Sequence, residues 1–152
     1  MVHENNTIVD MKLEKDLIFK CNLGFENLQE IYIDETLEEK EDMWGPDAAR
    51  LLGMALLGCL SASFIFCLKK RNLTPNDLEA RAEISFKTIE KGYSRIKQVD
   101  ISLKPKTDDA ATLKRINQCI RKMKNGKMLF EENCIITASV REGINVNVEV
   151  NF

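Results

Sequence analysis

The sequence predicts an α+β fold, in which antiparallel-rich sheets accompany one long helix. The first observation is an uncharged run of 18 residues, 51–68, which is long enough for about five helical turns. The second is that the segments on both sides of this run alternate apolar and polar residues, which is typical of strands with one face in water. The third is that short turns separate these segments, as in hairpins. A doubly wound parallel sheet is therefore excluded.

The uncharged run predicts a helix that begins near Asp47 and ends near Lys70. The breaker pair Gly45 and Pro46 precedes it, and aspartate is a favourable N-cap residue. A run of this length also meets the threshold for a membrane span. It contains two glycines and two serines, Gly53, Gly58, Ser61 and Ser63. Because they reduce its hydrophobicity, we interpret the run as the central helix of a soluble fold with no membrane partner.

Two alternating segments before the helix predict a hairpin. Residues 13–23 form its first strand and residues 28–34 its second, with a turn at residues 24–27. We expect one face of the first strand to point to the core, with the side chains of Leu17, Phe19, Cys21 and Leu23.

Further strands follow the helix. Residues 78–88 and 96–104 predict two long strands, the second of which ends at Pro105. Residues 144–152 alternate without interruption, so we expect a last strand that pairs inside a sheet.

A second, amphipathic helix is predicted at residues 107–126, where Thr107 or Asp108 is the N-cap residue. Its apolar stripe consists of Leu113, Ile116, Ile120 and Met123. Residues 127–134 predict a short helix that leads into the last strand.

Length, charge and the N-terminus narrow the class of protein. A chain of 152 residues predicts a single domain, 1–152, in which residues 1–10 form a mobile tail. A net charge of −2 argues against a nucleic-acid partner. The N-terminus lacks the apolar segment of a secretory signal. Together with five cysteines, this predicts a cytoplasmic protein with free thiols.

Several common chemistries are excluded by the sequence. The one histidine is His3, which leaves no residues for a histidine-based metal site or a catalytic triad. The sequence also lacks a CxxC pair and the glycine-rich phosphate-binding motifs. We therefore expect no cofactor and no metal ion, and cysteine chemistry or simple binding remains.

The cysteines differ in their surroundings. Cys21, Cys67 and Cys119 are predicted to be small packing residues of the core or its boundary. Cys59 and Cys67 lie eight residues apart on the long helix, about 12 Å, which is too far for a disulfide. Cys134 lies at a junction between elements, where side chains are more often accessible. The residues alone favour packing for Cys59 and leave a Cys59–Cys134 redox pair as the alternative.

Two segments carry a resemblance to a known family. "GPDAARLLGMALLGCLSASF" at residues 45–64 resembles the central-helix signature of the OsmC/Ohr family, the osmotically inducible and organic hydroperoxide resistance proteins. "ENCIITASVREGINVNVEV" at residues 132–150 resembles the family's second cysteine segment. The resemblance implies an OsmC-like fold, with antiparallel-rich sheets wrapped around a long buried central helix in an intertwined homodimer.

The resemblance also implies a reaction. Cys59 would be the peroxidatic thiol, which attacks the O–O bond and becomes a sulfenic acid. Cys134 would be the resolving thiol, which forms a disulfide with it, and an external dithiol would reduce that bridge. The substrate would be an organic hydroperoxide or hydrogen peroxide. An apolar pocket for it would come from Trp44, Met54, Leu57 and Phe64.

The sequence departs from the hydroperoxide-resistance branch of the family at the residues that activate the thiolate. That branch uses an arginine from the N-terminal sheet and a glutamate just after the helix-start proline. This chain has no arginine before Arg50, and Ala48 and Ala49 stand where the glutamate would align. Substitutes on the chain are Asp47, the acids of residues 38–42, Lys20 and Lys12.

We therefore identify the chain as a divergent OsmC-like member and predict a cysteine-based peroxidase. The alternative is a non-catalytic OsmC-like protein that binds a hydrophobic small molecule at the dimer cleft. A third role is redox sensing by the same thiols.

Overall fold

The computed structural model describes residues 7–27, 30–36 and 42–151. His3, most of the predicted tail and residues 38–41 of the acidic segment lie outside the described residues.

The fold is of the predicted α+β class, with antiparallel sheets and a long helix. The strands are β1 (Asp10–Lys15), β2 (Ile18–Asn22), β3 (Ile31–Asp34), β4 (Asp77–Thr88) and β5 (Ser94–Lys106). The α-helices are α1 (Ala48–Lys69), α2 (Ala110–Cys119) and α3 (Ile135–Glu142). Two 3-10 turns are Glu90–Gly92 and Leu129–Asn133. One sheet has the order β1-β2-β3 and the other pairs β4 with β5.

The chain divides into two compact units. We call Met1–Leu52 the N-terminal unit and Gly53–Phe152 the C-terminal unit. The three-stranded sheet belongs to the first, and the β4-β5 sheet, α2 and α3 belong to the second.

The predicted first strand, 13–23, is wrong, because it contains the end of β1, a turn and the whole of β2. Asp16 adopts a φ of +50°, in the left-handed region, and begins this turn. Of the residues expected to face the core, Phe19 and Cys21 are half-buried, whereas Leu17 and Leu23 are 51% and 37% exposed. The buried residue of β2 is Ile18, which was expected on the other face.

A buried carboxylate organises the segment between β3 and α1. Asp34 is 1% exposed and accepts hydrogen bonds from the Thr36 hydroxyl at 2.6 Å, the Thr36 backbone N–H at 3.0 Å and the Trp44 backbone N–H at 2.9 Å. These bonds favour the ionised form and lower the pKa of Asp34. At the same place a Cβ on Gly45 would overlap the carbonyl of Tyr32, so glycine is required there.

The long helix has the predicted bounds to within one residue. It begins at Ala48, directly after Asp47, and ends at Lys69. The Asp47 side chain accepts a hydrogen bond from the backbone N–H of Arg50 at 2.8 Å, which is the N-cap interaction predicted for it. Its second carboxylate oxygen pairs with the Arg50 guanidinium.

The β4 and β5 strands form the long antiparallel pair that the alternation predicts. The predicted end at Pro105 is wrong, since β5 continues to Lys106 and Pro105 pairs with Leu78. A two-stranded sheet has only edge strands, where a proline can present its missing N–H side away from the ladder.

The second helix is shorter than predicted. Its N-cap is Asp109 rather than Thr107 or Asp108, and the Asp109 carboxylate accepts a hydrogen bond from the Thr112 N–H at 2.7 Å. The helix ends at Cys119 because the chain then turns back. Lys122 bridges to Met128 across a turn that contains Gly126 at a φ of +79°.

This shortening changes which residues of α2 are buried. They are Thr112, Ile116 and Cys119. Of the predicted stripe, Ile116 is in the core, whereas Leu113 and Ile120 are 53% and 42% exposed. The core of the C-terminal unit joins α2 to α1 and to the 3-10 turn before Cys134, through Leu60, Phe64, Leu68, Ile116 and Phe130.

The end of the chain differs most from the prediction. The short helix predicted at residues 127–134 is confirmed as the 3-10 turn Leu129–Asn133, but α3 follows where a connection into a strand was expected. Residues 144–151 have no regular secondary structure, so the predicted last strand is wrong for the single chain. Four alternating apolar side chains there are 61–84% exposed: Ile144, Val146, Val148 and Val150.

By length and composition alone, α1 could cross a membrane. The core helices of soluble proteins meet the same criterion. Because α1 buries residues such as Phe64 and Leu68 in the core, this is weak evidence for a span.

We expect Asp34→Asn to destabilise the protein near neutral pH and to lose this effect in acid. The Asp34 pKa lies below its ordinary value of 3.8, chiefly because of the Thr36 hydroxyl and then the Trp44 N–H. A carboxyl group with a lowered folded-state pKa stabilises the fold above its unfolded pKa, and this contribution is lost as the pH falls through the folded value.

Urea unfolding at a series of pH values between about 7 and about 3 measures the effect of this substitution. Asp10→Asn, at an exposed carboxylate on β1, is the control. A difference between wild type and Asp34→Asn that stays constant down to the lowest pH would contradict the assignment.

Candidate thiol site

The structure brings together the two cysteines that the sequence singles out. Cys59 lies in the middle of α1, half-buried, and packs against the core of the C-terminal unit. Cys134 is the N-cap residue of α3. Both are free thiols, and Cys59 packs against the core cluster that contains Cys134.

Cys134 is held firmly at the start of α3. Its thiol donates a hydrogen bond to the Thr137 hydroxyl at 3.0 Å, and its sulphur accepts one from the Thr137 backbone N–H at 3.4 Å. The sequence places Cys134 correctly at a junction between elements. The expectation that it is accessible is wrong, because the residue is 1% exposed and belongs to the core cluster that includes Phe130.

The surroundings of Cys59 oppose its ionisation. Burial raises the pKa of the Cys59 thiol, and the neighbouring Cys134 thiol raises it further. The backbone N–H groups of Ile136 and Ile135, in the first turn of α3, act in the opposite direction but are outweighed. In the described part of the chain, no lysine or arginine side chain donates a hydrogen bond to Cys59.

The substitutes for the family's activating residues are engaged elsewhere or exposed. Asp47 and Arg50 pair with each other at the start of α1. The Lys20 ammonium pairs with Glu30, and Lys12 is exposed on β1. Each belongs to the N-terminal unit.

The residues expected to form an apolar pocket have different environments. Phe64 is 1% exposed and packs edge-on against Phe130, with ring centroids 5.4 Å apart, so it fills the core rather than lining an open pocket. Met54 is 62% exposed, and Leu57 is half-buried. Trp44 lies in the N-terminal unit.

The other two core cysteines are joined to each other. Cys67 of α1 and Cys119 of α2 form a disulfide with a Cα–Cα distance of 6.2 Å. The prediction of free thiols is therefore wrong for this pair and correct for Cys21, Cys59 and Cys134. The pairing could not be read from the sequence, because it depends on how α2 packs against α1 across 52 residues of chain.

An arginine that the sequence reading did not single out lies on this disulfide. The Arg115 guanidinium donates hydrogen bonds to the Cys67 carbonyl, at 3.1 Å from Nε and 3.0 Å from Nη2. Nη2 is also 3.6 Å from the Cys67 sulphur. The available signal is that Arg115 precedes Cys119 by four residues, so both lie on one face of α2.

A match to a family model decides the membership of the chain. The model described as OsmC-like protein matches residues 38–149, a range that includes both Cys59 and Cys134. The chain belongs to the OsmC-like protein family. No curated protein matches the sequence significantly.

Solved structures of OsmC-like proteins share the fold. An OsmC-like protein from Mycoplasma pneumoniae has a TM-score of 0.66 at 16% identity, over 97% of this chain and 98% of that chain. The organic hydroperoxide resistance protein OhrB of Bacillus subtilis has a TM-score of 0.60 at 15% identity, over 96% and 98%. An OsmC-like protein of unknown function from Vibrio cholerae has a TM-score of 0.58 at 12% identity, over 90% and 94%. At these identities the similarity shows the fold.

We expect the Cys59 thiol to react with iodoacetamide with a pH midpoint above 9.0, the ordinary value for a cysteine thiol. Only the thiolate is alkylated, and a raised pKa moves its formation to higher pH. Mass spectrometry of the peptide that contains Cys59 gives the rate at each pH, with N-acetylcysteine as the reference. A midpoint at or below that of N-acetylcysteine would contradict the raised pKa of Cys59.

Proposed function

We propose that this OsmC-like protein is a thiol-dependent hydroperoxide reductase, in which Cys59 is the peroxidatic and Cys134 the resolving thiol. The observation that carries the proposal is that these two free thiols share one core cluster, with Cys134 near enough to raise the pKa of Cys59. Membership of the OsmC-like family and the similarity of its fold to OhrB support a peroxide-related function.

The reaction divides into two steps on the protein. The Cys59 thiolate attacks one oxygen of the hydroperoxide, an S–O bond forms, the O–O bond breaks, and the alkoxide leaves as an alcohol after it takes up a proton. The Cys134 thiol then attacks the sulphur of the Cys59 sulfenic acid, which releases water and forms the disulfide. An external dithiol restores both thiols by two exchanges and leaves in its oxidised form.

The site supplies some stabilisation to the reacting thiolate. The backbone N–H groups of Ile136 and Ile135 lower the pKa of Cys59 and so favour its thiolate. Burial and the Cys134 thiol oppose them, so the thiolate is scarce at neutral pH. The proposed peroxidase is therefore slow at neutral pH, and its rate rises as the pH increases toward the Cys59 pKa.

We expect wild-type protein to consume cumene hydroperoxide with loss of two thiols per chain and formation of a Cys59–Cys134 disulfide, found by peptide mapping. Cys59→Ser abolishes the reaction, because the thiol that attacks the hydroperoxide is removed. Cys134→Ser stops it at a sulfenic acid on Cys59, which dimedone traps. Cys21→Ser removes a free thiol of the N-terminal unit and serves as the control.

A second candidate function follows from the same chemistry. The raised pKa of Cys59 and the lack of a hydrogen bond from lysine or arginine to it, among the described residues, favour a non-catalytic protein that binds a hydrophobic small molecule. Oxidation of Cys59 by cumene hydroperoxide no faster than that of N-acetylcysteine would reject the peroxidase and leave this function.

We also propose that the protein is a homodimer in which residues 144–151 pair as a strand with a second copy. Val146 and Val148 are 79% and 84% exposed, and the alternate residues Asn147 and Glu149 are polar. Such a segment has its apolar face in water in the single chain, and β pairing with another chain would cover it. Met11 and Leu13 of the edge strand β1 are also exposed, at 54% and 64%.

We expect Val148→Asp to shift the protein from dimer to monomer in sedimentation velocity, because a carboxylate would be buried on the apolar face of the added strand. Asn147→Asp adds the same charge one residue away, on the opposite face, and is the matched control. Equal behaviour of the two variants would show that the segment does not pair as a strand.

The cytoplasmic location and the single-domain organisation stay predictions. The cytoplasmic prediction used the expectation that all five cysteines are free thiols. Because Cys67 and Cys119 form a disulfide, that expectation no longer supports a reducing compartment.

A further inference from the structure

We propose that Cys67 and Cys119 form a second redox pair, a buried disulfide that opens and closes by exchange with a dithiol, in which Arg115 makes Cys67 the leaving sulphur. The proposal does not rest on the peroxidase reaction, because the disulfide is separate from the Cys59 and Cys134 thiols.

The two sulphurs of this disulfide are not equivalent. The Arg115 guanidinium lies 3.6 Å from the Cys67 sulphur and is anchored there by two hydrogen bonds to the Cys67 carbonyl. A third bond, from Nη1 to the Gln118 side chain at 3.0 Å, fixes the orientation of the guanidinium plane. The cation is therefore held beside one sulphur of the pair.

A neighbouring cation stabilises a thiolate and lowers its pKa. In thiol–disulfide exchange, the sulphur that leaves as the more stable thiolate leaves faster. Attack at Cys119 expels Cys67 as a thiolate beside Arg115. Attack at Cys67 would expel Cys119, which has no such contact among the described residues.

A dithiol reduces the disulfide in two exchange steps. A thiolate of the external dithiol attacks the Cys119 sulphur, the bond to Cys67 breaks, and its electron pair stays on the Cys67 sulphur. The second thiol of the dithiol then displaces Cys119, so the dithiol becomes a cyclic disulfide, and the protein gains two electrons and two protons. A disulfide such as oxidised glutathione closes the pair again by the reverse exchange.

Burial makes this pair conditional on a local opening of the core. Cys67 and Cys119 are 3% and 0% exposed, so a reductant reaches the bond only when the core opens around Cys119. The disulfide and the Arg115 bonds to the Cys67 carbonyl both join these helices. Reduction of the disulfide removes the covalent link between α1 and α2 and leaves α2 held by noncovalent contacts. The position of α2 then depends on the ratio of thiol to disulfide in the surrounding solution.

The first measurement identifies the sulphur that is attacked. Native wild-type protein is treated with excess 2-mercaptoethanol, acid-quenched at early times and mapped by mass spectrometry for mixed disulfides. We expect the adduct on Cys119. An adduct chiefly on Cys67, or a disulfide that resists dithiothreitol until the protein unfolds, would overturn the proposal.

The second measurement isolates the role of Arg115. We expect Arg115→Gln to slow the opening of the disulfide by about 10-fold, the scale of losing one hydrogen bond to a charged group, and to distribute the adduct over both sulphurs. Arg115→Lys keeps the charge and should restore part of the preference for Cys119. Lys114→Gln removes the neighbouring exposed charge of α2 and is the matched control.

A structural role alone is distinguishable from the proposed one. If Arg115 only caps the end of α1, Arg115→Gln would lower the urea midpoint and speed the opening of the disulfide, because the core around Cys119 would open more often. The proposal requires slower opening with the adduct preference lost. Repeating the mapping in Cys59→Ser protein keeps the result independent of the peroxidase reaction.

Discussion

The structure depends on covering α1, a helix of 22 residues whose central run is uncharged. Burial of apolar surface is the dominant favourable term in folding, and this helix supplies Phe64 to the core of the C-terminal unit. Phe130 packs edge-on against Phe64, which ties the 3-10 turn to the helix. Cys134 directly follows that turn, and Cys59 lies on the helix, so the meeting of the two thiols is a consequence of apolar packing.

The same packing limits how readily the Cys59 thiol ionises. Partial burial weakens the solvation of a Cys59 thiolate, and two peptide N–H groups of α3 offset this only in part. The guanidinium that the described core does place against a sulphur belongs to Arg115, and it lies on the Cys67–Cys119 disulfide. The C-terminal unit thus holds two pairs of cysteines. Cys59 and Cys134 are free thiols, and among the described residues no lysine or arginine donates a hydrogen bond to Cys59. Cys67 and Cys119 form a disulfide that lies beside the Arg115 guanidinium.

The sequence was most informative where a signal was local. The bounds of α1 follow from an uncharged run with a breaker pair and the capping Asp47 before it, and β4 follows from strict alternation. The break between β1 and β2 was missed because Asp16 turns the chain without a glycine or proline to mark it. Residues 135–142 were expected to be a connection, because their β-branched start does not indicate a helix; in the structure they form α3, with Cys134 as its N-cap. The contact of Cys59 with Cys134 came from family resemblance, whereas the Cys67–Cys119 bond requires knowledge of helix packing.

The Cys67–Cys119 bond also changes the covalent topology of the chain. The 52-residue separation between its cysteines contains the whole β4-β5 hairpin, so the hairpin is part of a closed ring. A protease that cuts the exposed 3-10 turn Glu90–Gly92 opens this ring without dividing the molecule. The two pieces stay joined through sulphur, and they separate on a denaturing gel only after a reductant is added.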